Sequence, residues 1–412
     1  MPGARHRRRE PERRVMDHVV VVGASLAGVN AIEGLRDRGF TGEITLVGAE
    51  RHLPYDRPPL SKEALSGGLD GERLALRPPQ WYEEQGVTLR LGEPARALEP
   101  GPKRLWLDSG GQLDFDGLVV ATGSSVRRFA HRLCGDPARL CQLRTLDDAQ
   151  RLGDQLEPGR RLVVLGAGFI GLEVAATART LGLDVTVIDV AASPLARVLG
   201  EAGAWFTDLH TTHGVDIRCG TSVDSIDPRS GGGVVVRSPG RATLEADLFL
   251  ESVGAAPAVD WLSGSGLVLE DGVVCGSDLR TSHPDIVAAG DVARWHNDLF
   301  GESMRVEHWT NAVEQGRHAA GTLLGERESY RSIPYFWTDQ FSAKARFVGR
   351  ADAADDIVVE RGEDSAVILF GRDGRLRGAL CINAPRRLAR CRIAIRDGMS
   401  WTEAAADLAT CA

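Results

Sequence analysis

No cysteine precedes Cys134, and the seven that exist (Cys134, Cys141, Cys219, Cys275, Cys381, Cys391 and Cys411) are scattered, odd in number and never spaced C-x-x-C. That pattern implies neither a disulfide framework nor a zinc site, and it makes reduced thiols and a cytoplasmic location the expectation. No apolar run approaches the ~20 residues of a membrane span. The arginine-rich opening MPGARHRRREPERRV lacks the apolar core of a secretory signal, so residues 1–16 are expected to form a disordered basic tail. His210 and His213 can share a helix face, but with no third ligand beside them they are expected to be surface side chains, and no metal is expected. Positive charge is also short. Residues 1 to 15 hold six arginines against two glutamates, a surplus of four, so a formal net charge of −8 becomes −12 over the rest of the chain. A body that acidic is a poor nucleic-acid binder.

What the chain does have is two copies of one pattern. VVVVGASLAG (Val19–Gly28) and LVVLGAGFIGLE (Leu162–Glu173) are each an apolar run, a glycine-rich turn and a helix-compatible stretch. A buried parallel strand delivers a dinucleotide pyrophosphate to a helix N-terminus in this way. In the second copy Gly166, Gly168 and Gly171 complete G-x-G-x-x-G; in the first, Gly23 and Gly28 remain while Ser25 replaces the middle glycine. Two such units in 412 residues predict an α/β fold with two Rossmann-like domains and room for a further one. They also predict two dinucleotides, one able to pass a hydride to the other.

The acids that follow carry further information. DVTVIDV ends a second strand on Asp189, about 20 residues past its turn, where a carboxylate accepts ribose hydroxyls. No arginine follows it immediately, so NADH is expected over NADPH. In the first copy ITLVGAE places Gly48 at the equivalent point and Glu50 two residues later, the expected ribose ligand.

Between these units, HLPYDRPPLSKEAL is a proline-fixed loop of the kind laid along a ligand, ending near Lys62. LRPPQWYEEQGVTLRLG reads as a short helix and strand, and RLWLDSGGQLDFDGLVVATG as a hairpin and a buried strand closing at Ala121 and Gly123, against a cofactor. Gly231 to Gly233 turn a hairpin between VDSI and VVVR. DLFLESVGAAP brings the chain back, with Gly254 as a further cofactor contact, and DIVAAGDVARW sets Gly290 and Asp291 after an apolar strand. VEHWTNAVEQGRHAAGTLLG has helical spacing; YFWTDQF, ARFVGR, IVVERG, AVILFG and GALCIN predict a terminal sheet; APRRLARCRIAIRDGMSWTEAAADL predicts helix with Arg386, Arg387, Arg390, Arg392 and Arg396 in one basic run, a candidate docking patch for an acidic protein.

GASLAG, PYDRPPLSK, ATG, GAGFIGLE, AAGDVA, VEHWTNAVEQGRHAA and FWTDQF together closely resemble the FAD-dependent ferredoxin reductases of bacterial Rieske oxygenase and cytochrome P-450 systems, within the glutathione-reductase-like flavoproteins. The resemblance runs from Met16 onward. It implies an FAD domain in two pieces (17–125 and 253–326), an NADH domain between them (126–252) and a C-terminal α+β domain (327–412) that screens the flavin. By position it implies Gly23, Ser25, Gly28 and Glu50 on the FAD phosphates and ribose, Arg57 and Lys62 near the isoalloxazine, Asp291 on the ribityl chain, and Trp309 and Trp337 by the ring. It also implies that Lys62 pairs with Glu173 beside the reacting atoms, so that Lys62, Glu173 and Trp309 form the catalytic set. Ala49 stands where many relatives have an acid, and the basic tail is foreign to the pattern.

The expected activity is hydride transfer from NADH to FAD, then single-electron transfer to a 2Fe-2S ferredoxin serving an oxygenase. A disulfide reductase of the same fold needs a thiolate against the flavin, which the cysteine-free first segment denies it. A rubredoxin reductase, an NADH oxidase or an NADH-sensing partner-binding flavoprotein is the alternative.

Overall fold

Val19, Val20 and Val21 are wholly buried and β-branched, which suits a strand covered on both faces. The strand His18–Val22 lies between Glu43–Gly48 and Gly117–Val120, parallel to both, with Val87–Leu91 and Ile286–Ala288 at the two edges. The computed structural model describes residues 16–67, 71–128, 140–352 and 355–410; the basic tail before Met16, Cys134 and Cys411 lie outside these.

The second unit repeats the first. Arg161–Leu165 sits between Asp184–Ile188 and Leu248–Glu251, again all parallel, with Asp216–Arg218 and Leu140–Gln142 outside them. Each central strand therefore has a neighbour on either side, and the crevice at its carboxyl end is where such sheets bind ligands. The chain leaves the first unit through Ser124–Val126 and returns through Ala255–Pro257, and these two short strands pair antiparallel. Ile286–Ala288 then completes the first sheet, although it lies more than a hundred residues downstream of Gly117–Val120.

The helix Trp309–Leu323 clamps the returning segment onto the first. It crosses the helix Leu26–Asp37 so closely that a Cβ on Gly316 would lie 2.4 Å from the Ala27 carbonyl, and one on Gly34 would lie 2.9 Å from the Ala320 Cβ. Arg317 reaches across to Asn30 and Glu33.

The terminal domain is a five-stranded antiparallel sheet in the order Tyr335–Gln340, Ala343–Gly349, Arg375–Ile382, Ala366–Arg372, Asp356–Arg361. Alternation divides its side chains. Phe347, Ile368, Phe370, Leu380 and Ile382 join the core of the second dinucleotide unit, while Val348, Val367, Leu369, Ala379 and Cys381 pack with residues of the helices Pro385–Arg396 and Trp401–Thr410. Among the described residues no helix is long and apolar enough to cross a membrane.

Gly316→Val is expected to overpack the helix crossing and cost about 1–3 kcal/mol. Gly101→Ala, whose added Cβ would meet nothing within 4 Å, is the control. Thermal unfolding of the two variants side by side checks this, and equal midpoints would show that the crossing tolerates a side chain.

Candidate functional site

The two glycine turns are superimposable in their physics. Gly23 has φ +126° and Gly166 φ +108°, and a Cβ on either would strike a carbonyl, that of Ala121 at 2.0 Å or that of Ser252 at 2.1 Å. Gly28 and Gly171 meet the carbonyls of Gly23 and Gly166 at 2.1 and 2.2 Å. These four glycines are explained by the chain's own packing. Gly168 is not. Its φ is ordinary, and an added Cβ would meet nothing within 4 Å, so its bareness faces open space at the start of the helix Phe169–Thr180. Ser25 holds the same station before Leu26–Asp37. Neither helix has a side-chain cap or an acid in its first turn, which leaves N–H donors for an anion.

A cleft of about 1110 Å³ opens from the first turn. Gly23, Ser25, Glu50, Gly123, Gly290 and Asp291 line it on the first-domain side. Phe169, Ile170 and Glu173 enter from the second unit, and Phe336 and Trp337 from the terminal sheet. Gly166, Gly168, Gly171, Asp189 and Gly254 do not line this cleft; Gly166 and Asp189 follow directly on the carboxyl ends of the strands Arg161–Leu165 and Asp184–Ile188, with Gly168 and Gly171 in the turn and helix beyond. Among the described residues no cysteine lines the cleft and no cluster suits a metal.

The loop expected to lie along a ligand is pinned by its own side chains. Glu50 accepts from Tyr55 Oη and from Arg57, both at 2.6 Å, and Arg57 also donates to the Arg144 carbonyl at 2.6 Å. Tyr55 in turn accepts from the Leu146 amide. Both Glu50 oxygens are thus held before any ribose arrives, and Arg57 braces the loop. Asp291 accepts from Ser124 Oγ at 3.0 Å and is 3.4 Å from Arg144. The Gly290 amide is fixed by the buried Gln315, at 2.8 Å.

Asp189 is engaged within its own turn. One oxygen accepts from the Ala167 amide at 2.6 Å and the other from the Ala191 amide at 2.8 Å, which fastens the glycine loop to the strand end.

Lys62 and Glu173, far apart in sequence, meet at 2.7 Å. Glu173 is 5% exposed and Lys62 sits at the end of the 3₁₀ turn Pro58–Ser61. Ser61 Oγ donates to the same Glu173 oxygen at 2.5 Å, and Thr338 Oγ1 donates to the other at 2.7 Å. A buried carboxylate is tolerable only with such partners.

Trp309 opens the clamp helix at the cleft, with its indole N–H on Asp56 at 2.7 Å and its ring edge-on to Trp337 at 6.0 Å. Burial raises the Asp56 pKa above the usual carboxylate range, a rise the Trp309 bond partly offsets. Before Trp309, burial holds the His308 imidazole down at about 3, aided by the Arg350 charge, so it is neutral. Its Nδ1 is buried with no partner among the described residues.

One expectation is overturned. His210 is not a surface side chain: it is fully buried, with Nε2 2.8 Å from Gln340 Oε1, because the terminal sheet covers that helix face. His213 is exposed and stacks on Phe341 at 3.9 Å. The basic run is also divided. Arg386, Arg390, Arg392 and Arg396 are exposed, whereas Arg387 is tied to Glu360 at 2.9 Å and Arg396 pairs with Asp397. Sequence reasoning missed Tyr55, Ser61, Ser124, Arg144 and Thr338, which act through contacts between segments far apart in the chain.

For FAD the residues fit: an uncapped helix start behind a positive-φ glycine, a ring-sized cleft with aromatic walls, and a carboxylate at Asp291 on its floor. The second turn fits a second dinucleotide in the open space beside Gly168 at an uncapped helix start. Two glycine turns of this kind, in units joined by a buried lysine–glutamate pair, are the arrangement of a flavin-dependent pyridine-nucleotide oxidoreductase. The chain matches the pyridine nucleotide-disulphide oxidoreductase family over residues 17–316 and the reductase C-terminal family over 335–410, and it belongs to this family of enzymes. It is 39% identical to the anthranilate 1,2-dioxygenase system ferredoxin–NAD(+) reductase component of Burkholderia cepacia, over 93% of this chain and 95% of that one. It is 39% identical to putidaredoxin reductase of Pseudomonas putida over 83% and 82% of the two chains. A solved covalent putidaredoxin reductase–putidaredoxin complex superimposes with a TM-score of 0.86 at 35% identity, covering 93% of this chain and 94% of that one.

Gly168→Val should separate ligand approach from folding. Stability is expected to change by less than about 1 kcal/mol, while the dissociation constant for NADH rises about tenfold or more. A fluorescence titration alongside a thermal melt checks both, and unaltered NADH affinity would remove the glycine from the coenzyme site.

Proposed function

We propose that the protein is an NADH-dependent, FAD-containing reductase that delivers single electrons to a 2Fe-2S ferredoxin serving an oxygenase. When bound, FAD supplies the exchange between a two-electron donor and one-electron acceptors. The observation that carries the reading is the Lys62–Glu173 contact, made by the proline-rich loop of one dinucleotide unit and the helix Phe169–Thr180 of the other. Both residues line the cleft, as do Phe169 and Phe336, whose rings lie edge-on at 4.7 Å.

The chain's own residues bind, orient and exclude water. The two helix starts hold the two pyrophosphates. Asp291, kept in place by Ser124 and Arg144, offers a carboxylate to the ribityl hydroxyls. Lys62 presents a fixed cation and Glu173 its counter-charge where charge shifts during transfer, the preorganisation that lowers such barriers. Trp309 and Trp337 give the cleft an apolar rim. Asp189 favours NADH, since a 2′-phosphate beside it would meet a carboxylate and the exposed Val190.

Ferredoxin docking is assigned to the exposed arginines of Pro385–Arg396. An acidic body repels an acidic ferredoxin at long range, so attraction has to come from a local basic face.

Anaerobic mixing with NADH is expected to bleach the flavin faster than mixing with NADPH, and cytochrome c reduction is expected to require added ferredoxin. Cytochrome c turnover that is indifferent to ferredoxin would count against the reductase reading. Asp189→Ala combined with Val190→Arg should move the ratio of kcat/KM for NADPH over NADH upward by about tenfold or more; an unmoved ratio would release Asp189 from coenzyme selection. Arg386→Glu with Arg392→Glu should slow ferredoxin reduction, most at low ionic strength, and leave flavin bleaching by NADH at its original rate. Equal ferredoxin rates at every salt concentration would return the patch to plain surface.

A further inference from the structure

Glu173 is the terminus of a buried chain of hydrogen bonds that begins outside the cleft. His210 Nε2 lies 2.8 Å from Gln340 Oε1; Gln340 Nε2 donates to Thr338 Oγ1 at 3.0 Å; Thr338 Oγ1 donates to Glu173 Oε1 at 2.7 Å; and Glu173 Oε2 meets Lys62 Nζ at 2.7 Å. His210, Thr338 and Gln340 are each 1% exposed or less. Four parts of the chain contribute: the helix Ala204–Thr212 of the second dinucleotide unit, the strand Tyr335–Gln340 of the terminal sheet, the helix Phe169–Thr180 that carries Glu173, and the first unit's loop that carries Lys62.

The direction of every bond is forced by the one next to it. A carboxylate paired with lysine only accepts, so Thr338 must give its single hydroxyl proton to Glu173. Its oxygen is then left to accept, so Gln340 must turn its amide N–H toward Thr338 and its carbonyl toward His210. His210 must therefore carry its proton on Nε2. Burial lowers the His210 pKa below the usual range, which keeps the ring neutral and leaves Nδ1 without a partner among the described residues. All donors thus point the same way, toward Glu173, and aligned bonds of this kind polarise one another. An amide in the middle cannot hand on a proton without leaving its stable form, so the array fixes charge and geometry and is not a proton wire.

We propose that Thr338, Gln340 and His210 are positioning residues for the reductive half-reaction, holding the Glu173 carboxylate so that Lys62 keeps a single orientation toward the reacting rings. The inference rests on the function proposed above and adds a role to the terminal domain: beyond covering the cleft, its first strand supplies one of the donors that make the buried carboxylate affordable. Removing Thr338's hydroxyl leaves Oε1 of a buried carboxylate unpaired, and its remaining partners, Lys62 and Ser61, both lie on the other oxygen.

Thr338→Val keeps the shape and deletes the donor. Its expected consequence is a fall of about tenfold in flavin bleaching at saturating NADH, the worth of one charge-assisted bond in a barrier, with FAD content and the NADH half-saturation concentration little changed. Thr338→Ser should recover the rate to within about twofold of wild type. Gln340→Met should lose less than Thr338→Val, and the double variant should be no slower than Thr338→Val alone, because the outer residue acts through the inner one. The FAD-free protein gives an independent readout: competitive acetylation followed by peptide mass spectrometry should find Lys62 more reactive in Thr338→Val than in wild type or Thr338→Ser. Wild-type bleaching rates and unaltered Lys62 labelling in Thr338→Val would overturn the proposal, as would a serine variant as impaired as the valine one, or losses that multiply in the double variant. A wild-type protein that NADH does not bleach would instead count against the proposed function, and the labelling comparison would still decide whether Thr338 sets Lys62.

Discussion

A carboxylate taken out of water costs several kcal/mol unless every lone pair finds a donor, and Glu173 imposes that demand on the whole molecule. Its partners do not come from its own helix: the Thr177 hydroxyl, one turn on, donates to the Ser61 carbonyl. They come instead from the loop Pro58–Ser61 with Lys62, and from the strand Tyr335–Gln340. The first and second dinucleotide units and the terminal sheet must therefore all be docked before the charge is satisfied. Net stabilisation from such a cluster is small, since desolvation offsets attraction. Its value lies in fixing where the three units meet, and that is also where hydride transfer needs atoms held to fractions of an ångström.

The glycines divide along the same line between fold and ligand. At the first and third stations of each turn the missing side chain is demanded by carbonyls about 2 Å away, so folding alone accounts for them. At Gly168 folding demands nothing, and it is the proposed coenzyme that would give the glycine a reason. At the first unit's middle station a serine, Ser25, stands in the equivalent N-cap position, so the two turns differ there in a side chain that the fold alone does not dictate.

Much of this was legible in the chain itself. The apolar runs ending in Gly23 and Gly166, the helical spacing after Trp309 and the alternation of AVILFG and GALCIN announce their elements because local pattern and tertiary role agree there. The pairing of Lys62 with Glu173 followed from resemblance, and the structure sets the two side chains in contact. His210 was misread because a lone polar residue on a helix carries no sign of what will cover it; the Gln340 that receives it is 130 residues away. Tyr55, Arg144 and Thr338 were invisible for the same reason. Each is ordinary in its local sequence and acquires meaning only from a partner on another segment.

That long-range logic is concentrated in one six-residue strand. In Tyr335–Gln340 the even positions turn to one side, where Phe336 meets Phe169, Thr338 meets Glu173 and Gln340 meets His210. The odd positions turn the other way, where Tyr335 and Trp337 lie 6.2 Å apart and Trp337 reaches Trp309 at the cleft rim. A slip of one residue would exchange the two sets and strand the buried carboxylate against an aromatic ring. The register is held by six paired residues on the neighbouring strand Ala343–Gly349, whose own alternate residues, Ala345 and Phe347, are buried in the second unit's core. The terminal sheet therefore acts as a gauge: its hydrophobic face seats it on the coenzyme domain, and the seating sets which side chains of its first strand reach the buried charge and which reach the rim.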